Sequence, residues 1–235
     1  MKPVIRRERL CWHGGRENLK IAHLSDLHVK WSRARLDHLA GRLREENPGL
    51  VLLTGDYYDT AKGARLVGEF LQDIAARYPV YWITGNHDHW HGPKLLRLLQ
   101  NAPGALQVDD GVHDFESAAG FRYQILSWHT LTRIPSPPPP AEENARRIVL
   151  LHNPEDLGRA PTFHGDLLLA GHLHGGQFVL WHTRHGHAFP ANLLYRWCCP
   201  RVDLEHGTVI ISSGLGDTVP LRFRCPYEVV CVEVW

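Results

Sequence analysis

Between residues 19 and 84, short apolar runs alternate with longer stretches whose apolar residues recur at helical spacing. The runs 19–25, 50–54 and 80–84 are too short for ordinary helices and read as buried strands. Between them, 31–46 places Leu36, Leu39, Ala40 and Leu43 on one helical face, and 64–77 does the same with Leu66, Val67, Phe70, Leu71 and Ile74. Pro48-Gly49 and Pro79 end these two helices. A short helix over 93–99 follows, with Pro93 at its start. This β-α-β-α-β order predicts a parallel sheet with right-handed crossovers. Ligands of such sheets gather outside the carboxyl ends of the strands. Beyond Val108 the pattern changes to short strands over 121–128, 147–151, 166–170, 178–181, 208–213 and 227–234, with turns at Gly207 and Gly214. The five Pro residues within 135–140 predict a stiff, exposed loop. No internal repeat or second apolar core is visible. The expected architecture is one domain of two mixed sheets, face to face with helices outside, preceded by a short N-terminal extension over 1–18.

Composition narrows the class. A chain of 235 residues fits one large α/β domain. A net charge of +1 argues against a surface that wraps nucleic acid, so no nucleic-acid partner is expected. Five Cys, with Cys198 and Cys199 adjacent and no Cys-x-x-Cys, do not form a disulfide framework and fit a reducing compartment. Residues 1–10 are rich in charge and no apolar stretch follows, so neither a signal peptide nor a spanning helix is expected.

The chemistry collects where the strands end. Asp26-Leu27-His28 follows the first strand, and Gly55-Asp56 the second, with Asp59 three residues on. Gly85-Asn86-His87-Asp88 follows the third. His152 closes the strand 147–151, and Gly171-His172-Leu173-His174-Gly175-Gly176-Gln177 follows 166–170. Residues two apart at a strand end can face one side, and neutral imidazole is the commonest protein ligand for Zn, Mn or Fe. A lone His-x-His means little among 17 His, but five ordered blocks at five strand ends form a specific signal.

These blocks, in type and order, resemble the calcineurin-like metallophosphoesterase superfamily over residues 19–234. The resemblance implies a four-layer α-β-β-α sandwich of two mixed sheets and a dinuclear metal site. One ion would take Asp26, His28, Asp56 and His174; the other would take Asp56, Asn86, His152 and His172. Asp56 would bridge, each of its two oxygens reaching one ion. Two divalent ions are implied, Mn first, with Fe or Zn as alternatives. Such a pair clamps the attacking and leaving oxygens of an in-line displacement, and a hydroxide held between the ions attacks phosphorus. His87 resembles the family's catalytic His, which is not a ligand, and Asp88 is expected to orient it. Asp59 either supports the site in the same way or caps the following helix.

The segment 171–177 is similar to the Gly-His-Thr-His-Gly-Gly-Gln signature of bacterial membrane-associated or cell-wall phosphoesterases, with Leu173 in place of Thr. That branch is similar to one form of UDP-2,3-diacylglucosamine pyrophosphatase, a lipid A pathway enzyme. The substrate implied is a phosphodiester or pyrophosphate, small or lipid-linked, met in the cytoplasm or peripherally at the inner membrane. Gln177, Trp31, Trp90 and Arg222 are candidate substrate contacts; Arg222 either clamps a phosphate or forms a surface ion pair. The apolar stretch 193–199 and the two Trp residues either face lipid or complete the core. His23 is expected in the core or behind the metal ligands; His89 and His91 either stay in solvent or touch substrate; His182, His185 and His187 form a polar loop rather than an extra metal site, since no carboxylate or Cys has matching spacing. The rivals are a broad-specificity phosphodiesterase or nuclease and, from another class, a non-catalytic scaffold on the same fold. A nuclease calls for a basic track and a scaffold can lose ligands, whereas here the charge is near neutral and every ligand type is present.

Overall fold

Two six-stranded sheets carry the molecule. The computed structural model describes residues 3–133, 145–159, 165–205, 207–219 and 221–235; the Pro-rich stretch 135–140 lies outside them. In the first sheet Leu19–Leu24, Leu50–Leu53, Val80–Trp82 and Ala105–Gln107 run parallel in that order. Glu228–Val234 joins antiparallel beside Leu19–Leu24, and Val4–Leu10 pairs parallel beyond it. The second sheet runs Arg201–Leu204, Gly207–Ile211, Leu167–Ala170, Arg146–Leu150, Arg122–Ser127, Val112–Glu116, antiparallel at both edges and parallel within.

Strand periodicity of two assigns each side chain to a layer. Leu50 and Leu52 face the second sheet, together with Leu167, Leu169, Ile148 and Ile210. Val51 and Leu53 face the helices Ala34–Glu46 and Ala61–Ala75, which bury Leu36, Leu39, Leu43, Val67, Phe70 and Leu71. Leu168, Val149 and Val209 face outward beneath Trp128, Leu131 and Leu157. Both faces of the central strands are covered, so these strands are apolar without alternation. The outer layer of the second sheet is thin among the described residues: the short helix Trp128–Arg133 and a 3-10 turn over Pro154–Arg159. No helix among the described residues is long and apolar enough to cross a membrane.

Several local expectations change. Residues expected as an N-terminal extension include the strand Val4–Leu10. Its sequence lacks an apolar stripe because it is an edge strand, where charge discourages further pairing. Arg6 holds Glu228 at 3.2 Å and donates to the Ile211 carbonyl at 2.7 Å, linking the two sheets. The expected strand over 178–181 reduces to one bridge between Phe178 and Phe223 and the two-residue strand Trp181–His182. The stretch 193–199 divides: Leu193, Leu194 and Tyr195 are exposed, whereas Cys198 and Cys199 are buried and Trp197 packs against them.

Candidate metal centre

The strand-end blocks converge, and they do so through unusual backbone. Asp26, His28, Asp56, His172 and His174 all have positive φ, between 42° and 69°. Such conformations cost a non-Gly residue about 1–3 kcal/mol each and persist where the surroundings over-determine them. Two glycines allow the loops to meet. A Cβ on Gly171 would lie 1.9 Å from Ser25 Oγ and 2.5 Å from Asp26 Oδ2; one on Gly85 would lie 2.2 Å from Asp56 Oδ1.

The donors fall into two groups. Asp26, His28 and His174 offer ligand atoms within 4.8 Å of one another, and so do Asp56, His152 and His172. Asn86 Oδ1 lies 2.9 Å from His152 Nε2, which adds it to the second group. Asp56 stands between the groups, but through one oxygen. Its Oδ2 is 3.7 Å from His28 Nε2 and 3.3 Å from His152 Nε2, whereas Oδ1 accepts the His87 backbone N–H at 2.8 Å. Oδ2 is thus the Asp56 oxygen that faces both donor groups.

Supporting acceptors set the ring orientations. His28 Nδ1 is 2.8 Å from Asp59 Oδ1, His152 Nδ1 is 2.7 Å from the Thr54 carbonyl, and His174 Nδ1 is 3.1 Å from Asp217 Oδ1. In each ring the Nδ1–H is donated outward, which leaves Nε2 with a lone pair facing the carboxylates. His28 Nε2 is buried without a hydrogen-bond partner, a costly arrangement unless a cation completes it. His172 Nδ1 lies 3.1 Å from His152 Nε2, close enough for both nitrogens to serve one ion. Burial alone would raise the Asp56 carboxyl, but His152 and His28 hold it well below the ordinary carboxylate range. Asp56 in turn raises His152 against its burial. The residues therefore fit divalent metal ions on both sides of Asp56.

Asp88 does not orient His87. It is buried and accepts backbone N–H groups of Asp56 at 2.9 Å, Tyr57 at 2.9 Å and Gly85 at 2.8 Å. Burial pushes its carboxyl up to about 7 while those donors pull it down. Its work is to tie the second and third strand-end loops together. Asp59 is what touches His87, with Oδ1 3.2 Å from His87 Nδ1 as well as 2.8 Å from His28 Nδ1. Asp59 caps nothing, because Thr60 accepts from Gly63 N at the helix start. The side chain of Trp90 is 70% exposed and its ring lies 4.2 Å from that of His87, so Trp90 borders the site. Trp31 is 66% exposed on the loop after His28.

Arg222 is neither a surface ion pair nor an open clamp. Its Nε and NH2 groups lie 2.9 Å and 2.8 Å from Asp217, NH2 also donates to the Gly216 carbonyl at 3.0 Å, and its guanidinium stacks on Tyr227 at 4.3 Å. Gln177 likewise donates its amide to Asp217 at 3.1 Å. Burial would raise the Asp217 carboxyl, but His174 and Arg222 hold it far below the ordinary range. Sequence reasoning missed Asp217. The signal was weak, since Asp217 lies six residues beyond the strand Gly207–Ile211 rather than at its end. Arg222→Ala is expected to loosen Asp217 and with it His174, weakening divalent-metal uptake by about 10–100-fold. Calorimetric metal titration measures this; a KM rise confined to diphosphate substrates would restore the clamp.

Other residues settle into structure. His23 is fully buried, 2.8 Å from Thr54 Oγ1, and burial pushes its imidazole down to about 3, so it is neutral at pH 7. Leu173 packs with Val179, Ala188, Cys198 and Cys225, away from the metal donors, so its replacement of Thr leaves them untouched. His89 is exposed and reaches Thr84 Oγ1 at 2.9 Å.

The comparisons with known proteins agree with this geometry. The sequence model of the calcineurin-like phosphoesterase family matches residues 19–206. The chain is 30% identical over 213 residues to the uncharacterized metallophosphoesterase YkoQ of Bacillus subtilis (strain 168), covering 86% of this chain and 78% of that protein. It is 27% identical over 240 residues to the phosphodiesterase YaeI of Escherichia coli (strain K12), covering 98% and 87%. In structure it resembles the calcineurin-like phosphoesterase YfkN from Bacillus subtilis, with a TM-score of 0.52 at 14% identity, over 84% of this chain and 81% of that one. The chain belongs to the calcineurin-like phosphoesterase family. It is a metal-dependent phosphoesterase built on that family's two-sheet fold.

Proposed function

We propose that the chain hydrolyses a phosphodiester or pyrophosphate bond with two divalent ions. Asp26, His28, Asp56 and His174 hold one; Asp56, Asn86, His152 and His172 hold the other. The observation that carries this reading is Asp56 Oδ2, 3.7 Å from His28 Nε2 and 3.3 Å from His152 Nε2. One carboxylate oxygen facing two donor groups is what a bridging ligand requires. Bound there, a metal pair would polarise the phosphoryl oxygens and activate a water. Mixed imidazole, amide and carboxylate donors suit Mn best, with Fe or Zn next. Asp59 takes the Nδ1–H of His87, so Nε2 is the atom left to act on the leaving oxygen or a phosphoryl oxygen.

The substrate is read as a lipid-linked diphosphate similar to UDP-2,3-diacylglucosamine, taken at the cytoplasmic side of the inner membrane. Exposed Trp31 and Trp90 near the metal loops support this, since indole favours a boundary that is apolar on one side and wet on the other. The test is metal analysis after loading with Mn, Fe or Zn, followed by turnover of bis-p-nitrophenyl phosphate, UDP-2,3-diacylglucosamine and its deacylated form. Two ions per chain and a higher kcat/KM for the acylated diphosphate are expected. A single ion would overturn the bridge, and equal rates with and without acyl chains would overturn the lipid-linked substrate.

A further inference from the structure

Two segments next to the metal centre carry no carboxylate: residues 177–200 contain no Asp or Glu, and neither do residues 218–227. They fold against each other. Val179 N donates to the Phe223 carbonyl at 2.9 Å, and Phe223 N to the Gln177 carbonyl at 2.8 Å. The Phe178 and Phe223 rings stack with centroids 5.1 Å apart, and Arg224 donates to the Leu180 carbonyl at 2.9 Å. The Trp181–His182 and Ala188–Phe189 hairpin and the 3-10 turn Ala191–Leu193 continue the same surface.

The surface is both apolar and basic. Leu194 is 81% exposed, Leu193 71% and Leu221 66%, and Phe178, Trp181 and Phe223 are exposed beside them. Arg184, Arg196 and Arg224 are exposed among these side chains. Scattered exposed apolar residues are ordinary, but several large ones on two segments that bond to each other mark an interaction site. Its charge selects the partner. Large aliphatic and aromatic side chains, interleaved with arginines and free of carboxylates, match a boundary of acyl chains and anionic headgroups.

We infer that this collar docks the protein on an anionic lipid bilayer, with Leu193, Leu194 and Leu221 entering the headgroup–acyl boundary and the three arginines meeting lipid phosphates. The inference rests on the reading of the site as acting on a lipid-linked phosphate and names the surface from which that substrate is taken. The collar is built into the metal centre. Gln177 and Arg222, from its two segments, both hold Asp217, and Asp217 holds His174. Docking therefore brings the metal loops to the level of the headgroups. Trp197, Cys198 and Cys199 take no part, because they pack inward.

Flotation of the full chain with vesicles of phosphatidylcholine and phosphatidylglycerol in equal parts, against phosphatidylcholine alone, tests the inference. Binding to the mixed vesicles and little to the neutral ones is expected. Each arginine near an anionic surface contributes roughly a fivefold gain, so Arg184→Gln with Arg196→Gln should weaken binding roughly 25-fold. Leu194→Ser with Leu221→Ser should weaken it by more than about tenfold, through lost apolar burial. Both pairs should keep Mn-dependent turnover of bis-p-nitrophenyl phosphate, because all four residues are exposed and none is a metal donor or supports one. Wild-type protein that turns over the soluble diester but does not float overturns the docking surface and spares the hydrolase. Variants that float like wild type overturn it too. So does a wild-type dimer that Leu194→Ser with Leu221→Ser dissociates, since a second copy would then cover the collar.

Discussion

Asp56→Asn is expected to lose at least one of the two ions and to lower kcat/KM by about 10³-fold or more, since the metals stabilise transition-state charge by several kcal/mol. The substitution keeps an oxygen that can accept the His87 backbone N–H, so the loop connection seen at 2.8 Å survives. What it removes is the negative charge between His28 and His152. That carboxylate is buried, and both rings already hold it ionised. No single His variant should match this loss, because each His touches one donor group whereas Asp56 Oδ2 faces both. Metal analysis of the purified variant, with circular dichroism to confirm folding, is the measurement. Two ions per chain in Asp56→Asn would show that the bridge is misassigned.

His87→Asn is expected to lower kcat by about 10²–10⁴-fold while leaving metal content near wild type, the range that a positioned proton donor contributes. The geometry separates His87 from the donors. Its Nδ1 is held by Asp59 at 3.2 Å, and its ring meets that of His28 edge-on at 4.7 Å and lies beside Trp90. Asp59 keeps its 2.8 Å bond to His28 when His87 is removed, so the first donor group should remain intact. Metal content and kcat measured on one preparation decide the matter. Loss of ions without a specific fall in kcat would make His87 a ligand.

The roles of neighbouring carboxylates were the least legible part of the candidate site. Asp59 and Asp88 both lie close to His87 in sequence or motif, and spacing favoured Asp88 as its partner. The short helix Asn86–Trp90 turns Asp88 back onto the loop amides, because a carboxylate in a first helical turn reaches the N–H groups there. Asp59 comes instead from the loop after the second strand, across a gap that only the sheet closes. Asp217, and its pairing with the candidate Arg222, were hidden for the same reason. Their partner His174 lies more than forty residues earlier, and a buried ion pair has no periodicity to betray it.

By itself the sequence determined the alternation of strand and helix, the identity of the apolar strands and the placing of Asp26, His28, Asp56, Asn86, His87, His152, His172 and His174 at strand ends. These follow from local spacing, and a parallel sheet carries every strand end to one edge. Tertiary structure decided what no local pattern encodes. It made Val4–Leu10 an edge strand through its pairing with Glu228–Val234, at the far end of the chain. It set Asp56 Oδ2 between His28 and His152 and gave Arg222 to Asp217. It also turned Trp197 inward and Leu194 outward within one apolar stretch. Burial, charge pairing and exposure depend on which distant segments pack together, and that is settled only when the two sheets close on each other.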